Sequence, residues 1–478
     1  MQNNLKSKVL SSLIWKLLER GGTQGIQFII QIILARLLTP EDYGVIAIIM
    51  IFIALANVFI QSGFGTALIQ KKNTDEEEFS SVFYLSLFIA TLLYLILYFT
   101  APIISDFYKN IELIKILRVL SLTLFLGAFN SIQNTIIAKN MDFKNQFLSS
   151  LIAGIVSGVI GIFLAYNNFG VWALVYQQLS NQFLICITLL NIVKWRPKLM
   201  FSFSKIKKLF IFGSKLLVSS LLDTLYMNIT SLVIGKVYRP AMLGFYNRGN
   251  QFPQLIVSNF NGSIQAVMFP ALSAEQDNKK RVKEIVRRSI VTSSYIIFPL
   301  MIGLMVIAEP MVKLLLTDKW LECVPYLRVF CLSYALWPIH TANLQAINAL
   351  GRSDIFLKLE IIKKVLGMAI LIVSMKYGVY AIAVGVLISG VISSFINGYP
   401  NKKLLNYGYL EQIKDVIPSL FISIVMGILV YSLAQLKTND FLIIFTQIFL
   451  GLIVYISLSY FFKLECFLYI IKTLKKDN

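Results

Sequence analysis

Apolar residues fall into fourteen stretches of about 20 or more positions, the length a helix needs to cross the hydrocarbon of a bilayer. They cover 9–38, 43–62, 80–105, 115–138, 147–167 and 170–193, then 209–238, 244–270, 285–308, 324–350, 355–376 and 379–399, and finally 412–436 and 441–462. Short polar links separate them. The pattern predicts an all-α integral membrane protein with about fourteen transmembrane helices.

The stretches repeat. Ala35-Arg36-Leu37-Leu38-Thr39-Pro40-Glu41-Asp42-Tyr43-Gly44 joins the first to the second, and Gly235-Lys236-Val237-Tyr238-Arg239-Pro240-Ala241-Met242-Leu243-Gly244 joins the seventh to the eighth. Pro40 matches Pro240, and Gly44 matches Gly244. Leu117-Arg118-Val119 returns as Leu327-Arg328-Val329, and Gly170-Val171-Trp172-Ala173-Leu174 as Gly378-Val379-Tyr380-Ala381-Ile382. Six stretches and the next six are thus two copies of one unit. Six is even, so both copies enter the bilayer from the same side, as a parallel repeat about an axis along the membrane normal. The expected division is a first lobe over 1–193, a basic linker over 194–208, a second lobe over 209–400, and a last helix pair with its tail over 401–478. Two similar membrane halves suit a transporter that alternates access to a site between them.

Composition agrees with a membrane protein: 57% of residues are hydrophobic and 14% charged, against about 25% charged in soluble domains. The net charge of +20 does not point to nucleic acid, because the cations lie in the links. One set of alternate links and both termini hold Lys71, Lys72, Lys139, Lys144, the 194–208 cluster, Lys279, Lys280, Arg281, Lys283, Arg352, Lys402, Lys403, Lys472, Lys475 and Lys476. The other set holds only Lys109, Lys236, Arg239, Lys313, Lys319 and Lys437. Positive links stay in the cytoplasm, so both termini are expected inside, with membrane lipids as partners. The 194–208 cluster reads either as a topology signal or as a lipid contact. Lys16, Glu19 and Arg20 interrupt the first stretch, which argues against a cleaved signal peptide.

Four cysteines show no paired spacing, and the lone His340 excludes a multi-histidine metal site. There is no phosphate-cradling Gly-Lys-Ser/Thr loop for ATP. No cofactor, metal or catalytic group is expected.

Polar residues inside the stretches carry the candidate chemistry. Lys16, Arg20, Gln24, Gln27 and Gln31 recur at steps of four, four, three and four, so they share one helix face. Lys215, Ser219, Asp223, Tyr226 and Thr230 repeat that face 199 positions later, counting from Lys16 to Lys215. The eighth stretch carries Asn247, Gln251, Gln254, Ser258, Asn261 and Gln265 on one face with Arg248 beside it, and the second has Asn57 and Gln61 one turn apart. Charge in the bilayer is costly, so such groups face water or partners. Whole stripes on symmetry-related helices predict a hydrated, substrate-binding cavity lined by Lys16, Arg20, Gln24, Gln27, Gln31, Asn57, Gln61, Lys215, Arg248, Gln251, Gln254 and Asn261. The competing reading is hydrogen-bonding between packed helices.

Arg20 lies about 15 Å into its helix, and its fork suits phosphate oxygens. Asp223, Glu19 and His340 are candidates for coupling transport to a proton or cation. Glu19 could equally neutralise Lys16 or Arg20, and Asp223 could pair with Lys215 or Arg20. Pro338 should kink the tenth helix beside His340, where a lone histidine could also be a hydrogen-bonded core residue.

The Leu13-Ile14-Trp15-Lys16-Leu17-Leu18-Glu19-Arg20-Gly21-Gly22 opening, the 34–44 turn and Asn168-Phe169-Gly170-Val171-Trp172-Ala173-Leu174 resemble the polysaccharide-transport branch of the multidrug/oligosaccharidyl-lipid/polysaccharide flippase superfamily. The likeness is to its lipopolysaccharide, colanic acid and teichuronic acid exporters and covers nearly the whole chain. It implies a V-shaped pair of six-helix lobes in the bacterial inner membrane. It implies a lipid-linked oligosaccharide substrate, an undecaprenyl-diphosphate glycan, flipped to the outer leaflet, with Arg20 and Arg248 matching cavity cations that receive the diphosphate. Members often carry a further Arg on the second helix, and this chain has none there. Polysaccharide-assembly proteins are the expected partners, and the transport unit is expected to be a monomer.

Two other classes compete. A cation-coupled drug exporter of the same superfamily would need a deep acidic cluster, whereas Asp223 and Glu19 face Lys16, Arg20, Lys215 and Arg248, a balance that favours anionic cargo. A glycan polymerase or ligase would need a sizeable outer loop, and the outer links are short.

Overall fold

The computed structural model describes residues 2–61, 63–433 and 439–476, without the side chains of 2–14, 16–20, 208, 212, 263, 266, 470 and 473–476. The expected span ends at Ser62 and 434–436, Lys437 of the sparse set of links, and the side chains of Lys16, Glu19 and Arg20 therefore lie outside the described set. Helices and turns account for the described chain, which divides into two compact units, Met1–Gly244 and Phe245–Asn478.

The first unit holds α1 (Gln2–Leu37), α2 (Pro40–Gln61), α3 (Phe64–Gln70), α4 (Glu76–Tyr108), α5 (Glu112–Leu120), α6 (Thr123–Asn140), α7 (Phe143–Tyr166), α8 (Val171–Val193) and α9 (Phe203–Val237). Helix α10 (Pro240–Ala274) leads into the second unit. There follow α11 (Lys279–Val306), α12 (Ala308–Leu316), a 3₁₀ turn (Asp318–Cys323), α13 (Val324–Ala335), α14 (Trp337–Ala349), α15 (Ser353–Ser374), α16 (Val379–Leu405), α17 (Tyr409–Ser432), α18 (Asp440–Phe461) and α19 (Glu465–Lys476).

Every predicted stretch is helical, and ten helices among the described residues are long and apolar enough to cross a membrane. The fourth and tenth stretches are each broken in two. In the tenth the break falls at Leu336, with Pro338 in the first turn of α14, where a missing backbone donor is harmless. The fourth has no proline. There the Ser121 hydroxyl donates to Leu117 O at 2.6 Å and the Thr123 hydroxyl to Leu120 O at 2.5 Å. Such local bonds compete with the helical ladder.

Small residues set the close approaches expected where lipid removes the hydrophobic drive between helices. Helix α7 buries Ala153, Gly154, Ser157, Gly158, Gly161 and Ala165. At Gly158 an added Cβ would stand 2.2 Å from Ile30 Cδ1 of α1. Large apolar side chains such as Phe88, Phe99, Ile103 and Val159 point outward, as a lipid-facing surface requires.

The repeated turns have distinct reasons for their shared residues. Thr39 caps α2: its amide and hydroxyl both donate to Asp42 Oδ2, at 2.9 and 2.7 Å, while Asp42 N returns a bond to Thr39 Oγ1. This is a capping box with proline at the first helical position. The second copy keeps only the proline. Gly170 and Gly378, equivalent starts of α8 and α16, have φ of 54° and 108°, a region open mainly to glycine. Within the first unit Gly44 and Pro240 meet, and so do Gly244 and Pro40. A Cβ on Gly44 would stand 1.9 Å from Pro240 O, and one on Gly244 would stand 2.1 Å from Pro40 O. The contact is reciprocal, as a two-fold relation between repeats demands.

The basic linker is held against the start of α4. Lys198 N and Ser202 N donate to the buried hydroxyls of Ser80 and Ser81 at 3.1 and 2.9 Å. Lys205 pairs with Asp75 and Glu77, and Lys198 with Glu76. Hydrogen bonding from Lys205 holds the Asp75 carboxyl below its usual range, and the same bond, with that to Glu77, raises the Lys205 ammonium. The Asp75 contribution is therefore complete above about pH 4 and fades as pH falls through its lowered value; the Lys205 contribution is complete below about pH 10 and fades above it. Hydrogen exchange at Lys198 and Ser202, corrected for intrinsic rate, should stay flat from pH 5 to 9. It should quicken several-fold in Lys205→Gln or in 1 M salt, since exposed ion pairs are screened. Unchanged protection in Lys205→Gln would show that the serine contacts suffice.

Candidate functional site

Of the predicted face on α1, Gln24 and Gln31 are half-buried and Gln27 is exposed. On α9, Lys215 and Asp223 are both exposed. These groups keep the helical register that their spacing predicts. On α10, Gln251 is half-buried and Gln254 exposed. Arg248 is only 5% exposed. Its Nη1 donates to Gln251 Oε1 at 2.6 Å, and its guanidinium lies 5.1 Å from the centre of the Trp320 ring. Asn261 accepts from the Thr341 hydroxyl of α14 at 2.6 Å.

In the first unit Asn57 and Gln61 line a cavity of about 320 Å³. Its other polar walls come from α6, α7 and α8, notably Asn130, Asn134, Gln146, Gln178 and Gln182. Asn130 Nδ2 donates to Gln182 Oε1 at 3.2 Å. An added Cβ on Gly127 would lie 3.0 Å from Asn57 Oδ1, so glycine is what lets α6 close on this amide.

In the second unit a buried amide network joins α14, α16 and α17. Asn343 Nδ2 donates to Gln412 Oε1 at 2.8 Å, Gln412 Nε2 returns a bond to Asn343 Oδ1 at 2.9 Å, and Asn401 Nδ2 reaches the same oxygen at 2.6 Å. A separate pair lies on the same two helices, α14 and α16, where Asn397 Nδ2 and His340 Nδ1 are 3.1 Å apart. The hydrogen-bonded core reading of His340 thus has a named partner.

Both amide groups carry a signal that the sequence displays. Asn130 and Asn134, Gln178 and Gln182, and Asn397 and Asn401 are pairs four residues apart, each on one helix face. The same stripe test that singled out Asn57 and Gln61 finds the first two pairs in the fourth and sixth stretches, whereas Asn397 lies near the end of the twelfth and Asn401 just beyond it.

With this geometry in place, comparison with known proteins is informative. Residues 33–325 match the sequence profile of the family described as "Polysaccharide biosynthesis protein". The chain is 24% identical to the succinoglycan biosynthesis transport protein ExoT of Rhizobium meliloti, over 67% of this chain and 65% of the relative. It is 24% identical to the teichuronic acid biosynthesis protein TuaB of Bacillus subtilis, over 74% and 73%. It is 22% identical to the lipopolysaccharide biosynthesis protein WzxC of Escherichia coli, over 89% of each. Among solved structures, the inward closed conformation of the lipid II flippase MurJ superposes with a TM-score of 0.77 at 19% identity, covering 94% of this chain and 98% of that one. An inward-facing multidrug resistance MATE transporter of the MOP superfamily superposes at 0.61 and 16% identity, over 83% and 95%. The shared fold is that of the MOP transporters. Since the profile spans more than half of its length, the chain, a multi-pass membrane protein, belongs to the polysaccharide biosynthesis protein family.

Proposed function

We propose that this protein flips an undecaprenyl-diphosphate-linked glycan from the cytoplasmic to the outer face of a bacterial inner membrane by alternating access. The observation that carries the reading is the family match over 33–325. The internal repeat supports it, because two equivalent bundles are what alternating access requires. In this reading the lobes are 1–193 and 209–400, joined by the 194–208 linker, with both termini in the cytoplasm. The protein works as a transporter rather than an enzyme, alongside polysaccharide-assembly proteins, as a monomeric transport unit.

Arg20 and Lys16 on α1 and Lys215 on α9 supply positive charge for the diphosphate. Gln24, Gln27, Gln31, Gln251, Gln254 and Asn261 supply polar contacts, and Arg248, buried beside Trp320, contributes field rather than a free surface. Flipping alone is reversible, so a driving force is needed. Asp223 on α9 is the proposed coupling group, with Glu19 and His340 as the remaining titratable candidates.

Proteoliposomes holding the purified protein test both claims. Wild-type protein should move lipid-linked glycan between leaflets and respond to an imposed pH gradient. Asp223→Asn should still bind cargo but turn over at least tenfold slower, without pH dependence. No movement of the glycan by wild-type protein would sink the function. Wild-type rate and gradient response in Asp223→Asn would remove Asp223 as the coupling group and leave Glu19 and His340, whereas wild-type protein indifferent to the gradient would assign the driving force to consumption of the flipped glycan.

A further inference from the structure

The cavity of the first unit is made for a ligand without charge. Among the described residues no Lys, Arg, Asp or Glu lines it, and its walls are chiefly carboxamides and hydroxyls. Each carboxamide both donates and accepts, and so does each hydroxyl. That is the complement of a sugar, whose hydroxyls do the same. Among these described groups a diphosphate or carboxylate would find no counter-charge, and a metal cation no carboxylate.

Asn130 supplies a second, independent observation. It is 5% exposed, its amide nitrogen is engaged by Gln182, and its Oδ1 is buried without a hydrogen-bond partner. A buried acceptor left without a donor is unfavourable, and Asn130 is one of the residues that line the cavity. The volume of about 320 Å³ is at the small end of the range for small-molecule pockets, about 300–1,000 Å³, which suits one sugar unit rather than an oligosaccharide. Position fits as well. Gln61 ends α2 and Gln146 lies in the first turn of α7. The cavity therefore reaches the end of the unit that carries Lys71, Lys72, Lys139 and Lys144. In the topology proposed above, that is the face where cargo is loaded.

We propose that this cavity is a subsite for one neutral sugar of the carried glycan, held by Asn57, Asn130, Gln178 and Gln182. The proposal rests on the glycan-flipping reading, and its test separates the two. Binding of bare undecaprenyl diphosphate, and of undecaprenyl diphosphate bearing glucose, galactose or N-acetylglucosamine, is measured on the full-length protein in lipid nanodiscs. At least one sugar-bearing lipid should bind ten-fold or more tighter than the bare carrier. Gln178→Leu and Gln182→Leu should bring that ratio close to one while the bare carrier binds as before. Should a leucine variant fail to fold, Gly127→Ala, whose methyl would press on Asn57 Oδ1, replaces it with the same expectation.

Equal binding of the bare and all sugar-bearing lipids to wild-type protein would overturn the subsite and leave the flippase reading standing. If neither kind of lipid binds, the flippase reading fails, and the cavity is judged with free methyl glycosides by saturation-transfer NMR. Methyl glucoside, galactoside or N-acetylglucosaminide should then give a signal that both leucine variants lose, and methyl glucuronide a weaker one. A signal indifferent to the variants, or stabilisation by sodium alone that the variants abolish, would overturn the proposal.

Discussion

Gly44→Ala is expected to cut export at least tenfold while the protein still reaches the membrane. A Cβ at this position would lie 1.9 Å from Pro240 O and 2.4 Å from Pro240 C, where real contacts do not fall below 3.0 Å. The obstacle is backbone, and the pyrrolidine ring fixes it, so no rotamer change relieves the clash. The two turns must move apart. Overpacking of this kind costs about 1–3 kcal/mol, which shifts a two-state equilibrium by about 5- to 150-fold.

Gly244→Ala should act alike, since its Cβ would meet Pro40 O at 2.1 Å. Both substitutions force the same separation, so the double variant should lose little beyond either single one. Gly303→Ala is the control, because its added Cβ has nothing within 4 Å; in a helix it should be neutral or slightly stabilising. Export assays and thermal unfolding in detergent would decide. If Gly44→Ala behaves like Gly303→Ala, the tight turn-to-turn contact has no part in transport.

The second large effect is expected at Arg20, proposed above to receive the diphosphate of the cargo. Hydrogen bonds to charged groups contribute about 1.5–3 kcal/mol each, so losing a two-pronged grip on a diphosphate should weaken cargo binding by two orders of magnitude or more. Arg20→Ala should abolish surface polysaccharide. Arg20→Lys should restore only part of it, because an ammonium lacks the planar fork. Protein level must be compared in parallel, as the substitution also removes a counter-charge that Glu19 could use. Normal polysaccharide in the Arg20→Ala strain would remove Arg20 from the cargo site.

Much of the molecule is legible in the chain because it depends on local rules. Twenty apolar residues make a spanning helix wherever they stand. A proline after a helix end, followed four residues later by glycine, marks the same turn twice. The tenth-helix break was readable from Pro338. The break between α5 and α6 was not, because Ser121 and Thr123 look unremarkable until their hydroxyls are seen on Leu117 O and Leu120 O.

The polar residues were only half legible. Spacing shows that Asn57 and Gln61 share a face, and equally that Gln178 and Gln182 do, but not that these two faces line one cavity. That depends on how each helix is rotated about its own axis, which the packing of small residues on α7 and Gly127 on α6 sets. Arg248 makes the same point: its sequence position suggests a cavity cation, and only the surrounding helices place it against Trp320 at 5% exposure.

The sequence alone therefore determined the helices, the internal repeat, the charge asymmetry of the links and the family, since each rests on short-range pattern or on length. Tertiary structure alone decided which faces meet. It turned Gly44 and Gly244, 200 positions apart, into a reciprocal backbone contact with Pro240 and Pro40, and it left Asn130 Oδ1 buried and unsatisfied beside a cavity lined by carboxamides and hydroxyls. It also divides the chain into compact units at Gly244, with α9 packed on α2, α3 and α4. Contacts between residues some 200 positions apart depend on the rotation and approach of whole helices, and no local pattern encodes those.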